Sequence, residues 1–322
     1  MSEKPDSVTG VNIYPIKSCH AATVNGVKPV RLPVGKTGFE VNGIADRDFV
    51  IVENSNDRHM VTQRGWENPI GAHAVKYKQD RALATVKPNI TDHQFHVVHD
   101  QTGTIVIPSA GEIGAEPQTI EIFGKTLSCF DQGEEPAEFF SAVVGRAVRL
   151  VRADRSRPRY LPSIYHMPFS LNRVAGADGF PFLLVNQASL DSSHESNDYK
   201  PGAISLDRFR GNIEIAGTAV GPYGEDFIRR MRVGKMMAYV VKACARCPIP
   251  NIDQETGHPS PGLKYIRGRN GEHKGKPEKN EIFFGQNISH IWQENQTIAV
   301  GDNVYVDKLA KERNFSLARE AK

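Results

Sequence analysis

Short runs rich in Val, Ile, Thr and Phe, separated by turn-forming residues, dominate the first third of the chain. Residues 11–16, 48–52 and 95–99 are such runs, and residues 101–103 form one of the intervening turns. Runs of this length and composition are typical of antiparallel strands. The segment from about residue 10 to residue 108 is therefore predicted to be a β-rich unit.

The rest of the chain adds few helical patterns. Residues 135–144 predict a helix, with Pro136 near its start and acidic residues in its first turn. Residues 152–168, with several prolines and mixed charges, predict an extended linker. An apolar strand is predicted at 182–186, with Ser189 as the N-cap of a following helix. Further strands are predicted at residues 212–215 and 237–242, and a Gly- and Lys-rich loop at 268–279. The tail at residues 298–309 carries a strand-like run, V-G-D-N-V-Y-V.

A chain of 322 residues exceeds the usual size of one domain. We place the boundary at the start of the proline-containing linker, which gives units of residues 8–150 and 151–312. Strands and long helices do not alternate regularly, so a parallel α/β fold is disfavoured. The predicted fold class is mostly β with a few helices (α+β).

Charge excludes one class of function. The chain has 40 basic and 37 acidic residues, too balanced for a chain-wide electrostatic attachment to nucleic acid. A nucleic-acid-binding alternative would use Arg152, Arg155, Arg157 and Arg159, but only Tyr160 lies nearby for base stacking. No nucleic-acid partner is therefore expected.

The lengths of the apolar runs and the number of cysteines bear on the cellular compartment of the protein. No run of about eighteen apolar residues occurs, so no transmembrane segment is expected, and the N-terminus has neither an apolar nor an Arg-rich leader. Four cysteines in so long a chain indicate a reducing compartment. We expect an intracellular, cytoplasmic protein, with mitochondrial association left open.

Cys244 and Cys247 form a C-x-x-C pair after a predicted strand and directly before Pro248 and Pro250. Structural zinc is disfavoured because no second pair exists to complete four ligands. A thioredoxin-type pair is disfavoured because the prolines break any following helix. A single thiolate ligand to a soft metal and two inert buried thiols remain open.

Basic and hydroxyl side chains lie at several predicted strand ends. Lys17 and Ser18 together suit a phosphate group, although a lysine in that place is more often a solvated surface residue. Arg47 lies between Asp46 and Asp48, where a local salt bridge is the simpler interpretation.

Two further segments carry candidate ligand-binding groups. Arg208 and Arg210 would share one face of an extended segment and clamp an anion, while Gly211 would let a ligand approach the backbone. A charged edge strand is the alternative. Thr62 and Arg64, at another predicted strand end, more often stabilise a turn than bind a ligand.

Seven segments in this order resemble MOSC-domain proteins with an N-terminal β-barrel domain, most of all the mitochondrial amidoxime-reducing component subgroup. The resemblance runs from about residue 10 to residue 305, and it implies a β-barrel MOSC domain packed against a smaller N-terminal β-rich domain. The segments are Y-P-I-K-S-C, A-D-R-D-F, M-V-T-Q-R, D-R-F-R-G-N, C-A-R-C, F-F-G-Q-N and V-G-D-N-V-Y.

The resemblance also implies a site. In that family a molybdopterin cofactor holds molybdenum through its dithiolene, and a protein cysteine adds one thiolate. The corresponding metal ligand and catalytic residue here is Cys247. The implied cofactor-binding residues are Lys17, Ser18, Arg47, Arg210, Asn212, Cys244, Ala245 and Asn287.

The implied activity is that of a molybdenum-cofactor oxidoreductase that reduces N-hydroxylated compounds, such as amidoximes and hydroxylamines, to their N–H forms. No cysteine follows Cys247, so no ferredoxin-like extension is expected, and a separate cytochrome b5-like, flavin or iron–sulfur protein is expected to donate electrons. The alternative is a non-catalytic carrier of the cofactor or of sulfur. The family as a whole is also associated with pyridoxal phosphate.

Two departures from the mammalian relatives bear on substrate choice. Asn287 stands where they have an aromatic residue, and residues 248–251 replace a Thr-rich run.

Overall fold

A computed structural model describes residues 5–54, 60–61, 78–108, 116–122, 124–171, 173–195, 200, 202–217, 219–260 and 282–311. Thr62, Arg64 and the predicted loop at 268–279 lie outside these ranges.

The described chain is mostly strands, with two α-helices, α1 (Glu134–Val144) and α2 (Gln187–Glu195), so the predicted fold class is confirmed. The strands are β1 Asp6–Val11, β2 Thr23–Val24, β3 Arg31–Pro33, β4 Glu40–Val41, β5 Ile44–Ala45, β6 Phe49–Glu53, β7 Met60–Val61, β8 Lys87–Ile90, β9 Phe95–His99, β10 Gly103–Ile107, β11 Gln118–Ile122, β12 Lys125–Asp131, β13 Val148–Ala153, β14 Arg159–Tyr160, β15 Arg173–Val174, β16 Phe182–Asn186, β17 Ile213–Ala216, β18 Ile228–Val233, β19 Met236–Ala245, β20 Phe283–His290, β21 Thr297–Ala299 and β22 Asn303–Leu309. Short 3-10 helices occur at Lys78–Thr85, Ser163–Tyr165, Leu206–Phe209, Gly224–Phe227 and Ile249–Asn251.

Seven strands close into a barrel in the order β1, β17, β16, β20, β19, β18, β22. Neighbouring strands are antiparallel, except for β16 and β17, which are parallel. Six of these strands come from the C-terminal half of the chain, whereas β1 comes from the N-terminus and lies between β17 and β22. The N-terminal strand therefore completes the barrel, and the division near residue 150 stays a prediction.

The N-terminal half forms a five-stranded sheet, β11-β12-β13-β6-β7, and a four-stranded sheet, β10-β9-β8-β2. Helix α1 buries Phe139 and Phe140 and ends at Val144, and the following Gly145 has a φ of 71°, the left-handed conformation usual after a helix. One continuous apolar core joins the two halves, with Phe95 and Phe140 from one and Ile288 from the other. Packing of this kind fixes the halves against each other because close-packed interiors tolerate little displacement.

Several predicted strands are confirmed, at Phe49–Glu53, Phe95–His99 and Phe182–Asn186. The prediction of a strand at residues 11–16 was wrong in its bounds, because β1 ends at Val11. Beyond it, the backbone N–H of Tyr14 donates to the Asp46 carboxylate, 2.8 Å, and not to a neighbouring strand.

Two other predictions are corrected. Arg152 is not a linker residue but part of β13, where its Nε donates to the buried Asp48 carboxylate, 3.1 Å. Ser189 is not an N-cap, because it lies inside α2 and its hydroxyl donates to the buried carboxylate of Glu225, 2.8 Å. The Asn186 side chain instead accepts from the N–H of Ala188 in the first turn, 3.1 Å.

Within the described ranges, no helix is both long and apolar enough to span a membrane.

Candidate functional site

One cavity, which we call the basic cleft, brings together residues from six separate segments. Its volume is about 180 Å³. Lys17 and Arg47 from the N-terminal part of the chain meet Arg210 and Cys247 in this cleft. The cofactor and metal roles of these residues stay predictions. All nine predicted site residues line the cleft: Lys17, Ser18, Arg47, Arg210, Asn212, Cys244, Ala245, Cys247 and Asn287.

Strand pairing explains why these distant segments meet. Val11 at the end of β1 pairs with Ile213 at the start of β17, and the next N–H, that of Asn12, donates to the Asn212 carbonyl, 2.9 Å. The chain that leaves β1 toward Lys17 therefore starts beside the Arg210 segment. On the opposite side, β19 pairs with β20, which brings the Cys244 segment next to Asn287.

Three of the predicted residues have left-handed backbone conformations. The φ angles are 70° at Ser18, 51° at Arg47 and 55° at Arg210. Such values are uncommon for residues other than glycine, and strained residues of this kind concentrate at functional sites. Their clustering in one cleft indicates that the surrounding fold holds the backbone there for a purpose other than stability.

Asp46 organises one wall of the cleft. Its buried carboxylate pairs with Arg47 and accepts from the Nδ2 of Asn212, 3.0 Å. The predicted local salt bridge of Arg47 is therefore confirmed, and Arg47 in addition donates from Nη1 to the Asn212 Oδ1, 3.1 Å. The Asn212 amide also bonds the backbone of Asn12 and Leu183. Asn212 thus has its hydrogen-bonding groups engaged within the protein and serves to position Arg47.

Lys17 is buried rather than solvated, with only 6% of its surface exposed, so the surface interpretation was wrong. Its ammonium pairs with Asp178 and donates to the carbonyl of Gly176, 3.0 Å. Gly176 packs directly on the Arg47 carbonyl, where a Cβ would collide. The loop that carries Gly176 and Asp178 therefore connects the two N-terminal cations of the cleft.

Arg210 is a cleft cation with no carboxylate partner among the described residues. It is 7% exposed, its Nη1 donates to the Oε1 of Gln254, 3.2 Å, and its guanidinium lies 4.4 Å from the Tyr14 ring centroid. Its Nη2 is buried without a partner among the described residues. Burial lowers the pKa of Arg210 from its ordinary value, because the charged form is poorly solvated there. An anion that reached Nη2 would give this donor a hydrogen-bond acceptor. It would also offset the cost of burying the guanidinium charge.

The predicted clamp of Arg208 with Arg210 was wrong. Leu206–Phe209 is a 3-10 helix rather than an extended segment, so the two side chains diverge, and Arg208 pairs instead with Asp253, 2.8 Å. The interpretation that Gly211 lets a ligand approach the backbone was also wrong, because a Cβ there would collide with Val185 in β16. The glycine permits close packing of this segment against β16.

The two cysteines at the end of β19 are each half-buried, which excludes the inert buried pair. Arg246, between them, donates from Nη1 to the Cys244 Sγ, 3.1 Å, and from Nη2 to the Phe209 carbonyl, 2.9 Å. Cys247 lines the cleft and has no hydrogen bond or ion pair to any described residue. In the described part of the chain, no three His, Cys, Asp or Glu side chains form a metal-binding group.

The lining of the cleft is strongly positive. Its four basic residues, Lys17, Arg47, Arg210 and Arg246, face one acidic lining residue, Asp178. Neither Arg210 nor Arg246 pairs with a described carboxylate. A half-buried thiol at one wall and an unsatisfied guanidinium inside fit a ligand with an anionic group and a soft metal, as the molybdopterin cofactor has.

Sequence reasoning missed several contributors to this arrangement. Tyr14, Asp46 and Arg246 lie inside motifs that were singled out, but nothing in the pattern indicated which neighbour would contact them. Gly176 and Asp178 belong to no motif, and only the folded loop places them beside Lys17.

Two family models match the chain. The MOSC N-terminal beta barrel domain matches residues 6–147, and the MOSC domain matches residues 172–305. Mitochondrial amidoxime-reducing component 1 of Mus musculus is 26% identical over 91% of this chain and 80% of the relative. Mitochondrial amidoxime reducing component 2 of Bos taurus is 25% identical, covering 93% and 82%. Molybdenum cofactor sulfurase of Drosophila mojavensis is 29% identical over 91% of this chain, which spans only 34% of that relative.

Proposed function

The chain is a MOSC-domain protein with a MOSC N-terminal β-barrel domain, and from this premise we propose that it is a molybdenum-cofactor oxidoreductase that reduces N-hydroxylated compounds. The proposed substrates are amidoximes and hydroxylamines, which leave as their N–H forms. The observation that carries the proposal is the convergence of Cys247 with Lys17, Arg47 and Arg210 in one cleft. Relatives named amidoxime-reducing components support the choice of substrate class.

The proposed phosphate-binding groups are Lys17, Ser18, Arg47 and Arg210. Arg210 contributes most, because its Nη2 is buried without a described partner and its charge is poorly solvated. Arg47 contributes less than a free guanidinium would, since Asp46 already offsets its charge. Asn212 acts through Arg47, whose guanidinium it holds in place.

The proposed metal ligand is the Cys247 thiolate, a soft donor on the cleft wall. Bound there, the molybdenum cofactor supplies the two-electron chemistry that removes the oxygen of an N-hydroxyl group as water. Cys244 and Ala245 line the cleft beside this ligand, and Arg246 holds the Cys244 sulfur. Asn287, on the adjoining strand β20, lines the cleft, and its proposed role is contact with the cofactor.

Electrons would come from a separate protein of the cytochrome b5-like, flavin or iron–sulfur class. The proposed site is intracellular and cytoplasmic, and the relatives' names support an association with mitochondria as the alternative. Pyridoxal phosphate does not form part of the proposal, because Lys17, the lysine that lines the cleft, is engaged by Asp178 and Gly176.

Reduction of benzamidoxime to benzamidine by the molybdenum-loaded protein, with an artificial electron donor, tests the proposal. We expect turnover by the parent chain and none by Cys247→Ser. A fully loaded parent chain that reduces neither benzamidoxime nor a simple hydroxylamine would overturn the oxidoreductase proposal.

The second candidate is a non-catalytic carrier of the cofactor or of sulfur. It is favoured by the similarity to a molybdenum cofactor sulfurase over a third of that protein's length. A carrier would bind the cofactor through the same cleft and pass it to a recipient enzyme. Transfer of cofactor to an apo-enzyme, without benzamidoxime reduction, would select this candidate.

A further inference from the structure

A second cavity lies beside Trp292 and shares no lining residue with the basic cleft. We call it the Trp292 cavity. Its volume is about 560 Å³, within the range of small-molecule binding sites. Its lining comes from Pro33 at the end of β3 and residues 34–37 after it, from Arg155 and Arg173, and from the segment of Trp292 and Gln296. The proposed function makes no use of it.

The charged groups of this cavity favour an anion. Three cations, Lys36, Arg155 and Arg173, line it together with one carboxylate, that of Glu40. Glu40 pairs with Arg155, 2.8 Å, so it is already neutralised. Lys36 and Arg173 have no carboxylate partner among the described residues. Two positive charges are therefore available to a ligand.

The Trp292 ring is held in a fixed position. Its Nε1–H donates to the carbonyl of Val34, 3.1 Å, and the Lys36 ammonium lies 5.0 Å from the ring centroid. A flat apolar surface and a positive charge are thus adjacent. An aromatic ring that carries a carboxylate presents the complementary pair of features.

Two polar atoms of the residues that line the cavity are buried and have no hydrogen-bond partner in the described part of the chain. Gln296 is only 7% exposed, and its Oε1 accepts no hydrogen bond from any described residue. The Nε of Arg173 is likewise buried and donates to no described group. Buried polar groups are normally satisfied. Because neither atom is exposed to solvent, each must turn toward the cavity to contact a ligand, and that contact would satisfy it. Gln296 requires a donor, such as a hydroxyl, and Arg173 requires an acceptor.

We propose that the Trp292 cavity binds a small aromatic hydroxycarboxylate. The ring packs on Trp292, the carboxylate pairs with Lys36 and Arg173, and the hydroxyl donates to the Oε1 of Gln296. The site is independent of the basic cleft and does not rest on molybdenum binding.

The test uses ¹⁹F NMR of the full chain labelled with 5-fluorotryptophan. The sequence has two tryptophans, so two resonances are expected, and Trp292→Phe assigns the relevant one. The probes are the three hydroxybenzoate isomers, benzoate and benzamide. We expect saturable movement of the Trp292 resonance, with at least one isomer binding about threefold or more tighter than benzoate. Benzoate in turn should bind about tenfold tighter than uncharged benzamide.

Two variants make the test specific. The double variant Lys36→Gln/Arg173→Gln should weaken hydroxybenzoate binding about tenfold, and Lys36→Gln alone, at an exposed position, should weaken it several-fold without risk to folding. Arg210→Gln, in the basic cleft, should leave the titration unchanged. No saturable shift, equal binding of benzoate and benzamide, no gain from any hydroxyl, or a titration abolished by Arg210→Gln would each overturn the proposal.

Discussion

Arg47 donates a hydrogen bond from Nη2 to the backbone carbonyl of Arg210, 3.3 Å, although 163 positions separate the two residues in the chain. Both guanidinium groups also lie near the Tyr14 ring, at 4.6 Å for Arg47 and 4.4 Å for Arg210. Two cations this close repel each other, and the electron-rich faces of an aromatic ring reduce that cost. Tyr14 therefore acts as a positioning residue for the positive wall of the basic cleft.

Replacing Tyr14 tests this role. Tyr14→Phe keeps the ring and loses only a long hydrogen bond to the Gly211 carbonyl, 3.4 Å, so molybdenum content should stay near that of the parent. Tyr14→Leu removes both cation–ring contacts, each worth about 0.5 to 2 kcal/mol, and should lower molybdenum content several-fold. The measurement is molybdenum per chain by elemental analysis, with thermal unfolding as the check on folding. Equal molybdenum contents in two folded variants would contradict the positioning role.

Removal of a cleft cation should affect cofactor retention more than chemistry. Arg210→Ala and Lys17→Ala each delete a charge-assisted contact of about 1.5 to 3 kcal/mol to the proposed phosphate. We expect both to lower molybdenum content per chain while turnover per bound molybdenum changes little. Arg157→Ala, at a side chain 71% exposed and outside the cleft, is the matched control and should change neither. If both cleft variants kept the molybdenum content of the parent protein, the role of Arg210 and Lys17 would be purely structural.

The two cysteines should differ in their importance. Cys247→Ser should keep the fold and abolish benzamidoxime reduction, because a hydroxyl is a poor substitute for a thiolate on molybdenum. Cys244→Ser should be milder, since its sulfur accepts a hydrogen bond from Arg246 and is not the proposed ligand. The checks are turnover and circular dichroism of both variants. Equal loss in the two would favour a symmetric dithiol site over a single ligand.

His290 should make stability depend on pH. Burial holds its pKa at about 4, below the ordinary 6.5, and the neutral ring contacts the carbonyl of Gly35, 3.0 Å. Because the folded-state pKa is lowered, the contribution is fully present above about pH 6.5 and is lost as pH falls toward 4. The contribution to the free energy of unfolding is about 3 kcal/mol.

Urea denaturation at several pH values between 7 and 4 measures this effect. His290→Gln keeps a side-chain donor for Gly35 but does not titrate, so its stability should fall less over the same interval. A variant whose free energy of unfolding falls as steeply as that of the parent would assign the pH dependence to other groups.

The sequence predicted the strands and the members of the cleft more accurately than the contacts between them. Regular apolar patterns were sufficient for Phe95–His99 and Phe182–Asn186, because period and composition are local properties. Arg208 was misplaced because a 3-10 turn and a left-handed residue at Arg210 separated two side chains that an extended segment would have aligned. Asp178 carried no local signal at all, since its role depends on a loop packing against Lys17 from 161 positions away. Burial and pairing of this kind are properties of the folded chain.

The central claim is that Cys247 and the cleft cations hold a molybdenum cofactor, and metal analysis tests it most directly. The full chain should be produced in a host with an intact molybdenum-cofactor pathway, purified, and measured for molybdenum and zinc beside Cys247→Ser. We predict about one molybdenum per parent chain, accompanied by pterin, and a lower content in the variant. A parent chain that contains no molybdenum, or zinc in its place, would contradict the account.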